Sequence, residues 1–243
     1  MTPLVAARAA RRELQALARP AGVFDASRYF RGDHGLRFLN IGTPRVRALA
    51  RTIRRQHERI WSVDEAVAFA DELMRDRELE AKGLGIEVLA GYRGAFRPDL
   101  LLVWRRWLAD GLASNWATTD LICGMLIGPL LVVHPELAGG LRAWTGHPSL
   151  WVRRAAAVAL IPSVRTGAQL TLAYQIAGRL HPDPADLIQK AVGWLLREAG
   201  KRDAARLERY LLDRGPSIPR TTVRYAIERF PPATRRRLLS ATA

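Results

Sequence analysis

Four kinds of residue or pattern are scarce in this chain, and most of these scarcities exclude a class of protein. Only one cysteine, Cys123, occurs in 243 residues, so there is no internal disulfide framework and no cysteine-based structural zinc site; a reducing cytoplasm fits that usage. Only Lys82, Lys190 and Lys201 are lysines, so arginine supplies the other 35 of the 38 basic residues. Alternation of apolar and polar residues in the strand manner never persists. The longest apolar run, Leu121 to Val133, is interrupted by Gly124, Gly128 and Pro129. It falls short of the roughly 20 residues that a membrane-crossing helix needs and reads as a buried core helix.

What is present is charge of one sign and helical periodicity. Against 38 basic residues stand 23 acidic ones, for a formal net charge of +15, and a polyanion is the natural partner of such a surface. Genome composition accounts for arginine in place of lysine but not for the excess of positive over negative charge. With 49% hydrophobic residues, the chain suffices for one globular domain, residues 1–243, or a short run of helical repeats. Arg8, Arg11, Arg12 and Arg19 alternate with apolar residues in the first segment. An amphipathic helix is expected there, since no apolar signal core accompanies them.

Apolar residues recur at spacings of three and four, so the fold class is all-α. The pattern predicts helices over residues 3–18, 43–59, 63–75, 78–92, 98–110, 115–133, 135–144, 148–161, 168–180, 184–199, 201–213 and 217–229. Ser62 with Glu65 has the form of a capping box, Asn115 or Ser114 caps the segment that follows, and Asp183-Pro184 is a cap before a first-turn proline. From about residue 62 the order is helix, short turn, helix, recurring at roughly 35–45 residues, the range of paired-helix HEAT units. Such pairs stack into an α-solenoid whose concave side presents one residue stripe per inner helix.

Three stretches at that recurrence carry the chemistry. Trp116-Ala117-Thr118-Thr119-Asp120 places an indole and a carboxylate four residues apart, on one helix face. Trp151-Val152-Arg153-Arg154 sets two arginines about 100° apart on a helix, so one is expected to grip phosphate while the other pairs or is solvated. Gln189-Lys190-Ala191-Val192-Gly193-Trp194 again places a cation and an indole four apart. Singly, each reads best as core plus surface charge. Trp116, Arg154 and Trp194, however, are 38 and 40 residues apart, in register with the helix pairs. His34, His57, His134, His147 and His181 have no metal-ligand spacing; three of them precede proline, which predicts turn or surface roles. Cys123 has no activating histidine and is expected to be buried. Neither a P-loop nor a dinucleotide fingerprint occurs.

These strings, with Tyr29-Phe30-Arg31, Leu39 to Arg47 and Ile188 to Glu198, resemble the HEAT-repeat-like DNA alkylation repair family, the AlkC/AlkD type of alkylpurine DNA glycosylase, over nearly the whole length. The resemblance implies an α-solenoid that cradles duplex DNA and excises N3- and N7-alkylated purines. It implies Asp120 as the catalytic aspartate, Trp116 and Trp194 as the aromatics at the lesion, Tyr29 at the DNA surface and Arg154 on the backbone. Arg153 and Lys190 are expected beside them as DNA-binding residues. No cofactor or metal is implied, and a cytoplasmic monomer acting on alkylated duplex DNA is expected. The alternative is a non-catalytic α-solenoid that binds DNA or a protein partner.

Overall fold

The computed structural model describes residues 1–22, 25–30 and 35–243; Arg31 and His34 lie outside the described residues. Among these the chain is all-helical, with a single isolated parallel bridge between Arg37 and Glu78 in place of any strand. It divides into two compact units, Met1–Leu126 and Ile127–Ala243.

The first unit holds α1 (Pro3–Ala16), α2 (Thr43–His57), α3 (Val63–Met74), α4 (Leu79–Leu89), α5 (Leu100–Ala109) and α6 (Trp116–Ile122). Helix α3 begins where the sequence predicts: the Ser62 hydroxyl accepts from the Glu65 N–H while the Glu65 carboxylate accepts from the Ser62 N–H. Helices α1 and α3 pack as one layer and α2, α4 and α6 as the other, with α3 against α4 joining the two. That joint is close because residue 85 is glycine: a Cβ there would sit 3.2 Å from the Ala70 backbone. Ala7, Leu14, Leu49, Ile53, Phe69, Leu73, Leu84 and Val88 fill the space between. Lys82 is buried in this unit, donating to the carbonyls of Met74 and Leu112. Burial pulls its pKa down to about 8, because a charged ammonium loses its hydration there.

The helix expected over 115–133 is broken by a π turn at Cys123–Ile127, after which α7 (Gly128–Val133) resumes. Pro129 is the physical reason. Its ring has no N–H to donate and crowds the carbonyl four residues back, so the ladder shifts to the wider spacing. Counted through that turn, Trp116–Val133 spans 18 residues at mean hydropathy 1.7, long and apolar enough by those two measures alone to cross a membrane. Half of it is buried inside the fold, as a core helix would be, and Cys123 is among the buried residues.

Within the second unit follow α8 (Leu141–Trp144), α9 (Leu150–Val158), α10 (Ile161–Arg165), α11 (Leu170–Leu180), α12 (Asp186–Gly200), α13 (Ala204–Arg214), α14 (Arg220–Ala226) and α15 (Pro232–Ala241). Helix α12 is central, packed by α9, α11, α13 and α14. It approaches α14 closely through Gly193, where a Cβ would lie 2.8 Å from the Thr222 carbonyl. Its buried Glu198 accepts from Lys201 at 2.8 Å and Arg165 at 3.0 Å. Burial alone would raise that carboxyl, but the two cations outweigh it and hold the pKa below its ordinary value. His181, expected in a turn or at the surface, is instead 6% exposed. It bonds the Tyr210 hydroxyl at 2.8 Å, since the end of α11 turns its ring toward α13 before Pro182 leads the chain away.

Candidate nucleic-acid interface

Helix α6 is built to show one face. Asn115 caps it, its side chain accepting from the Thr118 N–H at 2.8 Å, and the Thr119 hydroxyl donates to the Ala113 carbonyl at 3.1 Å. With Thr118, Thr119 and Ile122 buried, the 100° step between residues leaves Trp116, Ala117, Asp120 and Leu121 on the opposite, half-buried side. Indole and carboxylate therefore share the half-buried face.

The indole is fixed from the other side by a short irregular segment. The Trp116 Nε1–H donates to the Tyr29 carbonyl at 3.2 Å, and the Phe30 ring stacks on it with centroids 5.5 Å apart and planes inclined by 20°. Phe38 in turn lies 5.2 Å from Phe30. Tyr29 closes a 3-10 turn, Ala26–Tyr29, with 65% of its surface exposed. The first unit thus gathers Tyr29, Trp116 and Asp120, three of the predicted residues. Beside them a mainly apolar pocket of about 220 Å³ opens among α2, α4 and α6, lined by Val46, Glu80, Gly83, Ala117, Thr118 and Leu121.

In the second unit the two arginines of α9 diverge as the helical step requires. Arg153 bonds Asp183 at 2.7 Å and the carbonyls of His147 and Pro148 at 2.9 and 2.8 Å. Arg154, 6% exposed, donates to the Leu187 carbonyl. Asp183 also accepts from the Ala185 N–H at 3.0 Å, and these contacts set the start of α12 at Asp186, two residues beyond the expected start at Pro184. Lys190 pairs with Asp186 at 2.7 Å, one turn earlier. Trp194 stands half-buried on the same face of α12, next to Arg197, which is tied to Glu228. Among the described residues no three His, Cys, Asp or Glu side chains gather as a metal site needs.

Sequence reasoning gave no role to Phe30 or Asn40, because residues 25–42 have neither helical nor strand periodicity from which to place a side chain. Comparison with known proteins fits the helical architecture. A family model described as DNA alkylation repair enzyme matches residues 10–230. The chain belongs to that family, and membership gives it a role in DNA repair with DNA as its partner. Among solved structures it is similar in fold to a predicted DNA alkylation repair enzyme from Enterococcus faecalis, with a TM-score of 0.74 at 17% identity over 85% of this chain and 93% of that one. A crystal structure of smu.31 from Streptococcus mutans UA159 is more distant, with a TM-score of 0.52 at 10% identity over 82% of this chain and 98% of that one. No curated protein matches the sequence.

Proposed function

We propose that this protein is a DNA glycosylase that removes cationic N3- and N7-alkylated purines from duplex DNA. The observation that carries the reading is the half-buried face of α6, where a braced indole and a carboxylate stand four residues apart, in a chain of the DNA alkylation repair enzyme family.

Alkylation at N3 or N7 makes the base a cationic leaving group. When the C1′–N bond breaks, the base departs with the bonding pair as a neutral molecule and leaves an oxocarbenium-like sugar. Asp120 stabilises that positive charge and orients a water, whose oxygen bonds to C1′ as one of its protons passes to solvent. Trp116 attracts the cationic base or packs against deoxyribose, contributing about 0.5–2 kcal/mol, and Trp194 in its own unit is an aromatic contact to DNA. Tyr29 and Lys190 touch the duplex, while Arg153 and Arg154 act through α12, holding the helix that carries Lys190 and Trp194. The layered helix pairs within each unit support the finer expectation of HEAT-like helix pairing. A monomer working in the cytoplasm completes the proposal.

The test is to incubate the protein with methylated duplex DNA and quantify free 3-methyladenine and 7-methylguanine. Release above the spontaneous rate is expected, and Asp120→Asn lowers it by about 10²–10³ while duplex affinity is kept, as for other preorganised charge contacts. Absence of release by the wild-type chain excludes the activity on these lesions. A non-catalytic DNA- or protein-binding scaffold would leave Asp120→Asn silent.

A further inference from the structure

We propose that Asn40 is a positioning residue for the Trp116 indole, an inference that rests on the glycosylase reading of the α6 face. Asn40 is one of two non-glycine residues with positive φ among the described residues, at 54°, a left-handed conformation that asparagine tolerates better than most side chains. In that conformation its Oδ1 accepts from the Ala26 N–H at 3.1 Å. Next to it the Leu39 N–H donates to both carboxylate oxygens of Glu80, each at 3.1 Å, so the turn before α2 is pinned to α4. Ala26 opens the 3-10 turn whose last residue, Tyr29, presents its carbonyl to the Trp116 Nε1–H, and Phe30 follows with its stacked ring. One path of contacts therefore runs from α4 through the Leu39-Asn40 turn and the Ala26–Tyr29 segment to the indole.

The 3-10 turn itself packs little: Ser27, Arg28 and Tyr29 are exposed and Ala26 is buried, while Phe30 beyond it rests against Phe38 and Trp116. The Asn40 side chain is thus an anchor that joins the segment to the helical layer. Side chains that support a reacting geometry in this way are felt at the chemistry although they never touch substrate.

Asn40→Gly keeps the left-handed backbone open and removes the acceptor, whereas Asn40→Asp keeps both. The fluorescence of Trp116 is isolated as the difference between each variant with and without Trp116→Phe. In Asn40→Gly this emission is expected to shift to the red, as the indole leaves its stack for water, and base release at saturating methylated DNA falls about tenfold. Asn40→Asp restores both to near the wild-type values. Ala26→Pro removes the donor at the other end of the same bond, at a helix-start position that accepts proline, and is expected to reproduce the red shift if Asn40→Gly fails to fold by circular dichroism. Unchanged Trp116 emission in a folded Asn40→Gly or Ala26→Pro chain, or an Asn40→Asp chain no better than the glycine variant, overturns the assignment. If the wild-type protein releases no base, the glycosylase reading falls, and the emission measurements still decide whether Asn40 positions the indole.

Discussion

Among the described residues His181 carries the clearest acid-sensitivity. Its ring is enclosed at the end of α11, bonded to Tyr210 and beside Arg214. Burial, aided by the Arg214 charge, lowers its pKa from 6.5 to about 4. The folded state therefore binds the proton less readily than the unfolded chain. The stability tied to neutral His181 is fully present above pH 6.5 and is lost as pH falls from 6.5 toward 4, by an amount on the order of 3 kcal/mol. Denaturant titrations of the wild type and His181→Gln between pH 7.5 and 4 check this. The wild type is expected to lose more stability than the variant over that window, and parallel curves would show that His181 titrates normally. The histidine's place before Pro182 predicted a turn residue. That local signal was correct about the chain, which does turn there, and blind to the ring, whose burial depends on Tyr210 almost thirty residues later.

Among elements, α12 shows how much of the molecule the sequence carried and where it stopped. Its apolar positions, including Ile188, Ala191, Val192, Leu195 and Leu196, gave the helix and its buried side. Its start was misplaced because Asp183, with the form of a cap, spends one carboxylate oxygen on Arg153 and the other on Ala185, and no spacing rule reveals a partner 30 residues away. Helix α15 went unpredicted because Leu238 is its only buried residue, too sparse for a periodic signal. On the α6 face, the i, i+4 pair and its asparagine cap were legible, while Phe30, Asn40 and Glu80 were not, since they meet only through the tertiary fold. Gly193 lies in the string singled out for Lys190 and Trp194, and its own physical reason is the α14 backbone. Gly193→Ala is expected to destabilise the protein by about 1–3 kcal/mol, seen as a lower midpoint in thermal denaturation. Gly124→Ala is the control: its Cβ meets nothing within 4 Å, so it is expected to leave the midpoint nearly unchanged. Equal effects would mean that the close α12–α14 approach is not held by the missing side chain.

At the scale of the whole molecule, the net charge of +15 matters through the arginines that remain unneutralised, and the fold sorts them. Arg45, Arg51, Arg55 and Arg59 are exposed on or just beyond α2, with no carboxylate in ion-pair range among the described residues. Arg153, by contrast, is committed to Asp183, whose side chain is 9% exposed. The logarithm of duplex affinity is expected to fall linearly with the logarithm of salt concentration, the slope changing by about 0.9 for each phosphate neutralised. Two substitutions separate the classes. Arg55→Gln removes a free surface charge, so it is expected to reduce the salt slope by about 0.9 while changing stability by less than about 0.5 kcal/mol. Arg153→Gln leaves the Asp183 carboxylate and two carbonyls short of a donor, so it costs about 1–3 kcal/mol of stability and leaves the slope as it was. Titrating duplex binding at several salt concentrations, alongside denaturant melts of both variants, decides the matter. A lower slope in Arg153→Gln with unchanged stability would make that side chain a phosphate contact, and an unaltered slope in Arg55→Gln would take α2 out of the DNA-binding surface.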